Sequence, residues 1–96
     1  MPRIELAPQV ADDLQRIVHH LAAHEAHSVK EHLQSIMAAI SLLEHSPLIG
    51  RPAAKDMREL VIGRRNRGYV ALYRYVAEID TVFVLALKSQ REAGYV

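Results

Sequence analysis

The apolar positions change period about halfway along the chain, and that change divides it into a helical half and a strand half. Ile4 and Leu6 give the short run Arg3 to Leu6 a strand character, and Pro8 follows where a helix's first turn tolerates proline. Val10, Leu14, Ile17, Val18 and Leu21 then recur at helical spacing, which predicts a helix to about His24, with Asp12 and Asp13 in its first turn favouring the dipole. Ser28 and Glu31 have the spacing of a capping box. The stripe Leu33, Ile36, Met37, Ile40 and Leu43 behind them predicts a second helix ending near His45. Two such helices joined by a short link leave their stripes uncovered unless they pack as an antiparallel hairpin on another layer.

Pro47 to Lys55, with two prolines and a glycine, reads as a crossover loop. Beyond it the alternation has a period of two. Met57 to Ile62 and Tyr69 to Val76 are predicted strands joined by the polar turn Arg64-Arg65-Asn66-Arg67, bracketed by Gly63 and Gly68. Thr81 to Leu87 is almost wholly apolar, as a strand covered on both faces and interior to a sheet would be. The expected architecture is α+β, in the order β-α-α-β-β-β: a helical hairpin packed on a small, mostly antiparallel sheet that the first strand completes.

The 96 residues suit one domain spanning 1–96. With no cysteine, disulfides, thiolate metal sites and cysteine nucleophiles are excluded, and the chain suits a reducing cytoplasm. Early charges and prolines argue against a signal peptide, and no apolar run reaches membrane-spanning length.

Charge narrows the picture further. The net charge of +1 hides a mildly acidic first half and a basic middle. From Arg51 to Arg74 seven bases (Arg51, Lys55, Arg58, Arg64, Arg65, Arg67 and Arg74) face only Asp56 and Glu59. A guanidinium stays charged and forks onto phosphate or carboxylate, so this cluster calls for an anionic partner: RNA, DNA or an acidic protein segment. The plainer alternative is a solvated hairpin tip, or strand arginines paired with neighbours such as Glu59.

Other candidate chemistry is thin. His20, His24 and His27 have helical spacing but no recognisable third ligand beside them, so they read as surface histidines and no metal is expected. No serine sits in a strained elbow, and no glycine-rich phosphate loop precedes a helix, so no nucleotide cofactor is indicated. The tail, with Lys88, Arg91 and Tyr95, could bind or cleave RNA through proton transfer and phosphate stabilisation, or could simply fray.

In combination, Ser46-Pro47-Leu48-Ile49-Gly50-Arg51-Pro52, Arg58-Glu59-Leu60, Tyr69-Val70-Ala71-Leu72-Tyr73-Arg74 and Gln90-Arg91-Glu92-Ala93-Gly94-Tyr95 resemble the ParE/RelE toxin superfamily over almost the whole chain. The resemblance implies a toxin of a type II toxin-antitoxin pair, neutralised by a cognate antitoxin. Its RelE-like branch implies a ribosome-dependent, metal-independent mRNA endonuclease, for which Arg58, Arg74, Arg91 and Tyr95 are the residues at hand. Its ParE-like branch implies inhibition of DNA gyrase by binding alone. The long hairpin and the Ile49-Gly50-Arg51-Pro52 loop resemble ParE-like chains, and the central strands lack the lysines that RelE-like enzymes place there. The expected target- or antitoxin-binding set is Arg51, Arg58, Arg64, Arg65, Arg67, Arg74, Lys88 and Arg91. Apolar residues left over on the faces of the helical hairpin, such as Leu42, leave a homodimer or an antitoxin-bound assembly equally open.

Overall fold

The computed structural model describes residues 1–63, 68–92, 94 and 95. Five strands form one sheet in the order β1-β5-β4-β3-β2: β1 is Arg3–Leu6, β2 Arg51–Pro52, β3 Met57–Ile62, β4 Tyr69–Val76 and β5 Thr81–Ser89. Helices α1 (Pro8–His24) and α2 (Val29–Ser41) pack together on one face. The β-α-α-β-β-β order and the α+β class expected from the sequence are those observed. β5 is interior, as its apolar run requires, with β1 parallel on one side and β4 antiparallel on the other. Among the described residues no helix is long and apolar enough to cross a membrane.

The core lies between the hairpin and one face of the sheet. Val10, Ile17 and Leu21 of α1 and Ile36 and Ile40 of α2 meet Leu60, Ile62, Tyr69, Ala71, Tyr73, Val82, Val84 and Leu87. A bulge in β5 keeps this pattern in phase: Leu72 pairs with Ala86 but Tyr73 with Val84, so Leu85 is the extra residue.

Three local expectations fail. Ser28 does not cap α2; its hydroxyl donates to the Glu25 carbonyl (3.0 Å), a local turn competing with the cap. The first turn of α1 holds no acid, because the helix starts at Pro8 and Asp13 falls a turn later, inside the apolar stripe. The crossover loop contains strand β2, which pairs Arg51 with Glu59 and Pro52 with Arg58. Gly50 precedes it because an added Cβ would lie 2.7 Å from the Tyr73 ring and 2.8 Å from the Glu59 carbonyl.

Candidate functional site

Cross-strand partners share a face of the sheet and successive residues alternate, so the register decides which arginines act together. Arg74 pairs with Met57 and Phe83, while Arg58 pairs with the core residue Tyr73. The two therefore point to opposite sides. Arg58 Nη1 donates to the carbonyls of Leu48 (3.1 Å) and Gly50 (2.8 Å), and the Gly50 N–H donates to the buried Tyr73 hydroxyl (2.8 Å). Arg58 thus clamps the crossover loop onto the sheet.

The face without helices carries Glu59, Val70, Leu72, Arg74, Phe83, Ala86 and Lys88 in register. Arg51 joins it through a 3.1 Å ion pair with Glu59. Val70 and Ala86 are nevertheless buried, and the tail supplies the cover. The Tyr95 hydroxyl donates to Glu59 Oε2 (2.7 Å) on β3, and Lys88 of β5 lies 5.5 Å from the Tyr95 ring, so the phenol bridges across β4. Burial and the Glu59 carboxylate together raise the Tyr95 phenol far above its ordinary value, so it holds its proton. Glu59 is lowered, first by the Tyr95 hydrogen bond and then by Arg51. Arg74 stands exposed in the middle of this face, with no hydrogen-bond or ion-pair partner among the described residues.

On the opposite side the root of the tail is tied to α1. Asp13 is fully buried; its carboxylate accepts from Gln9 (2.9 Å), Arg16 Nη1 (2.7 Å) and the Leu87 N–H (2.8 Å). Arg16 also donates to Glu92 at 2.7 and 3.2 Å, and Glu92 accepts the Ser89 N–H (2.6 Å). Burial pushes both carboxyls up, but Arg16 and the backbone donors outweigh it, so both lie below the ordinary range. Arg16 is raised, first by Glu92. Sequence reading missed this network, although its signal was present: Val10, Asp13 and Ile17 share one helical stripe, where an acid needs a partner.

Arg91 belongs to this side. With Tyr69, His32 and the Ile17 and Leu21 side chains it lines a cleft of about 320 Å³ between the hairpin and the tail. His32 Nδ1 and the Tyr69 hydroxyl share a 2.6 Å hydrogen bond there.

The sequence-derived candidates are thus divided. Arg51, Arg74, Lys88 and Tyr95 gather on the open face, Arg58 lies on the other side at the loop, and Arg91 lies at the helix-side cleft. Arg64, Arg65 and Arg67 lie outside the described residues. His20 and His24 stack at 4.3 Å, and no group of three or more histidines or acids that could hold a metal occurs among the described residues.

The fold is shared with known toxins. The chromosomal ParDE system of P. aeruginosa superposes with a TM-score of 0.78 at 19% identity, over 93% of this chain and 96% of that one. The intact E. coli RelBE toxin-antitoxin complex gives 0.61 at 16% identity, over 96% and 100%. A metal-bound toxin from Helicobacter pylori gives 0.55 at 16%, over 98% and 100%. At these identities the likeness establishes the fold. No curated protein matches the chain. Residues 4–94, however, match the family described as the ParE toxin of the type II toxin-antitoxin system parDE, and the chain belongs to that family of toxins.

Proposed function

We propose that this ParE-family toxin is a single domain that acts in the cytoplasm by binding DNA gyrase, without chemistry of its own, until a cognate antitoxin masks it. The observation that carries this reading is the separation of the groups that RNA cleavage would need to bring together. Arg58, Arg74 and Arg91 occupy three places, and the Tyr95 phenol is committed to Glu59 with its pKa raised. A general acid or base must reach the proton it moves and titrate near the working pH; a phenol held by a carboxylate meets neither need. What remains on the open face is a rigid sheet bearing Arg51, Arg74 and Lys88 beside half-buried Leu72 and Phe83. Charge beside apolar surface on a rigid element suits docking of a protein partner and does not suit turnover.

The test uses the purified chain in two parallel reactions: gyrase supercoiling, and ribosomes translating a defined message. Loss of supercoiling with the message intact is expected, and Tyr95→Phe should retain that inhibition. Cleavage of the message with supercoiling intact, abolished by Tyr95→Phe, would overturn the proposal in favour of the RelE-like ribonuclease.

A further inference from the structure

We infer that two copies of this chain pair through the outer edge of β1, antiparallel about a twofold axis at Ile4, a contact independent of the gyrase reading.

The backbone polarity of β1 fixes which groups are available. The Arg3 N–H donates to the Asp80 carbonyl and the Ala7 N–H to the Val84 carbonyl, each at 2.9 Å, so the odd-numbered residues direct their polar groups toward β5. Ile4 and Leu6 therefore direct theirs outward, and β5 is the only strand paired with β1 among the described residues. An uncovered edge of this kind is a template for another strand.

Self-pairing at Ile4 satisfies that edge. Ile4 opposite the partner's Ile4 is a hydrogen-bonded pair that exchanges both N–H···O bonds. Leu6 then faces the partner's Pro2, and its N–H meets the Pro2 carbonyl; Pro2 has no N–H to offer in return. Between these positions Arg3 lies opposite the partner's Glu5, and Glu5 opposite the partner's Arg3, in the closer, non-hydrogen-bonded pairing.

Charge selects this register and this occupant. In one copy Arg3 and Glu5 already pair at 3.3 Å, with side chains 73% and 50% exposed. In the pair, each arginine lies between two carboxylates and each carboxylate between two arginines. Sliding by two residues, so that Leu6 faces the partner's Leu6, puts Glu5 opposite the partner's Ala7 and loses every charge match. Leu6, on the edge strand itself, is 45% exposed, and Leu42, on the 3₁₀ turn Leu42–Glu44 that touches β1, is 52% exposed. Four-residue strands bury less than a standard interface, so the dimer belongs to the weak, concentration-dependent class.

Sedimentation of the purified full chain over a concentration series tests this. Reversible monomer–dimer exchange is expected. Arg3→Glu alone or Glu5→Arg alone sets like charges opposite one another twice and should weaken association roughly tenfold. The double variant R3E/E5R swaps the charges, recreates the pairing and should restore it. All three alter exposed side chains, so circular dichroism should match the parent. A parent chain that stays monomeric to its solubility limit would overturn the inference, as would a dimer indifferent to both single reversals or one that the double variant fails to restore.

Discussion

On the helix side of the sheet one guanidinium, Arg16, holds two carboxylates, and one of them, Asp13, is fully buried; on the open side Glu59 is shared by Arg51 and Tyr95, while Arg74 is exposed and makes no hydrogen bond or ion pair among the described residues. The same tail crosses between these settings, anchored at Glu92 on one side and at Tyr95 on the other. What separates Asp13 from Arg74 is desolvation. A buried carboxylate that loses its donors retains its full hydration debt, whereas an exposed arginine without a partner is solvated by water at little cost. The buried charge of Asp13 is therefore structural, and the exposed charge of Arg74 is available to a partner.

The largest expected effect breaks the comparison at its buried end. Asp13→Ala leaves the Leu87 N–H without its acceptor and Arg16 with one carboxylate instead of two. It should destabilise the fold by about 3 kcal/mol and lower Tm by roughly 15 °C for a chain of this size, read by thermal and urea denaturation. A loss under about 1 kcal/mol would place the network among surface pairs of little worth.

Next in size is the acid limb. Asp13, Glu92 and Glu59 all lie below their ordinary values of 3.8 and 4.5. For a carboxyl depressed on folding, the unfolded chain binds more protons as pH falls. The stabilisation is fully present above the unfolded pKa and is lost as pH drops through the folded one. Urea midpoints should therefore be level with respect to these groups above about pH 5 and fall below about pH 4. Asp13→Asn should show a shallower fall; an unchanged slope would remove Asp13 as a source of it.

How much of this the sequence disclosed follows the range of the interactions. Local periodicity placed both helices and the three longer strands, and the apolar run at Thr81 to Leu87 placed β5 inside the sheet. Strand β2 was hidden because Gly50 and Pro52 mark a loop in any local reading, while its pairing depends on Arg58 and Glu59 across the turn. Asp13 was read as a dipole partner because, beyond Gln9 and Arg16 on its own helix, the groups that bury it in a network, Leu87 and, through Arg16, Glu92, lie more than 70 residues away. The arginines were read as one segment because they are neighbours in sequence. Register, which no short window contains, then sent Arg58 and Arg74 to opposite faces. The composition of the candidate site was thus legible, but its division between faces was not.

The smallest expected effect on stability sharpens the comparison at its exposed end. Arg74 makes no ion pair or hydrogen bond among the described residues and lies opposite Met57 and Phe83. Arg74→Glu should therefore shift unfolding by no more than about 0.5 kcal/mol. A docking surface, however, responds to the sign of a central charge more than to the fold that carries it. If the open face meets gyrase, the reversal should weaken inhibition of supercoiling roughly tenfold, measured as the concentration giving half-inhibition by a chain with unaltered circular dichroism. Arg58→Ala supplies the contrast: it frees the Leu48 and Gly50 carbonyls and loosens the loop, so any loss of inhibition should come with a loss of stability. Were Arg74→Glu to inhibit as well as the parent while Arg58→Ala failed without destabilisation, the docking surface would lie on the loop side of the sheet, and the open face would serve only to seat the tail.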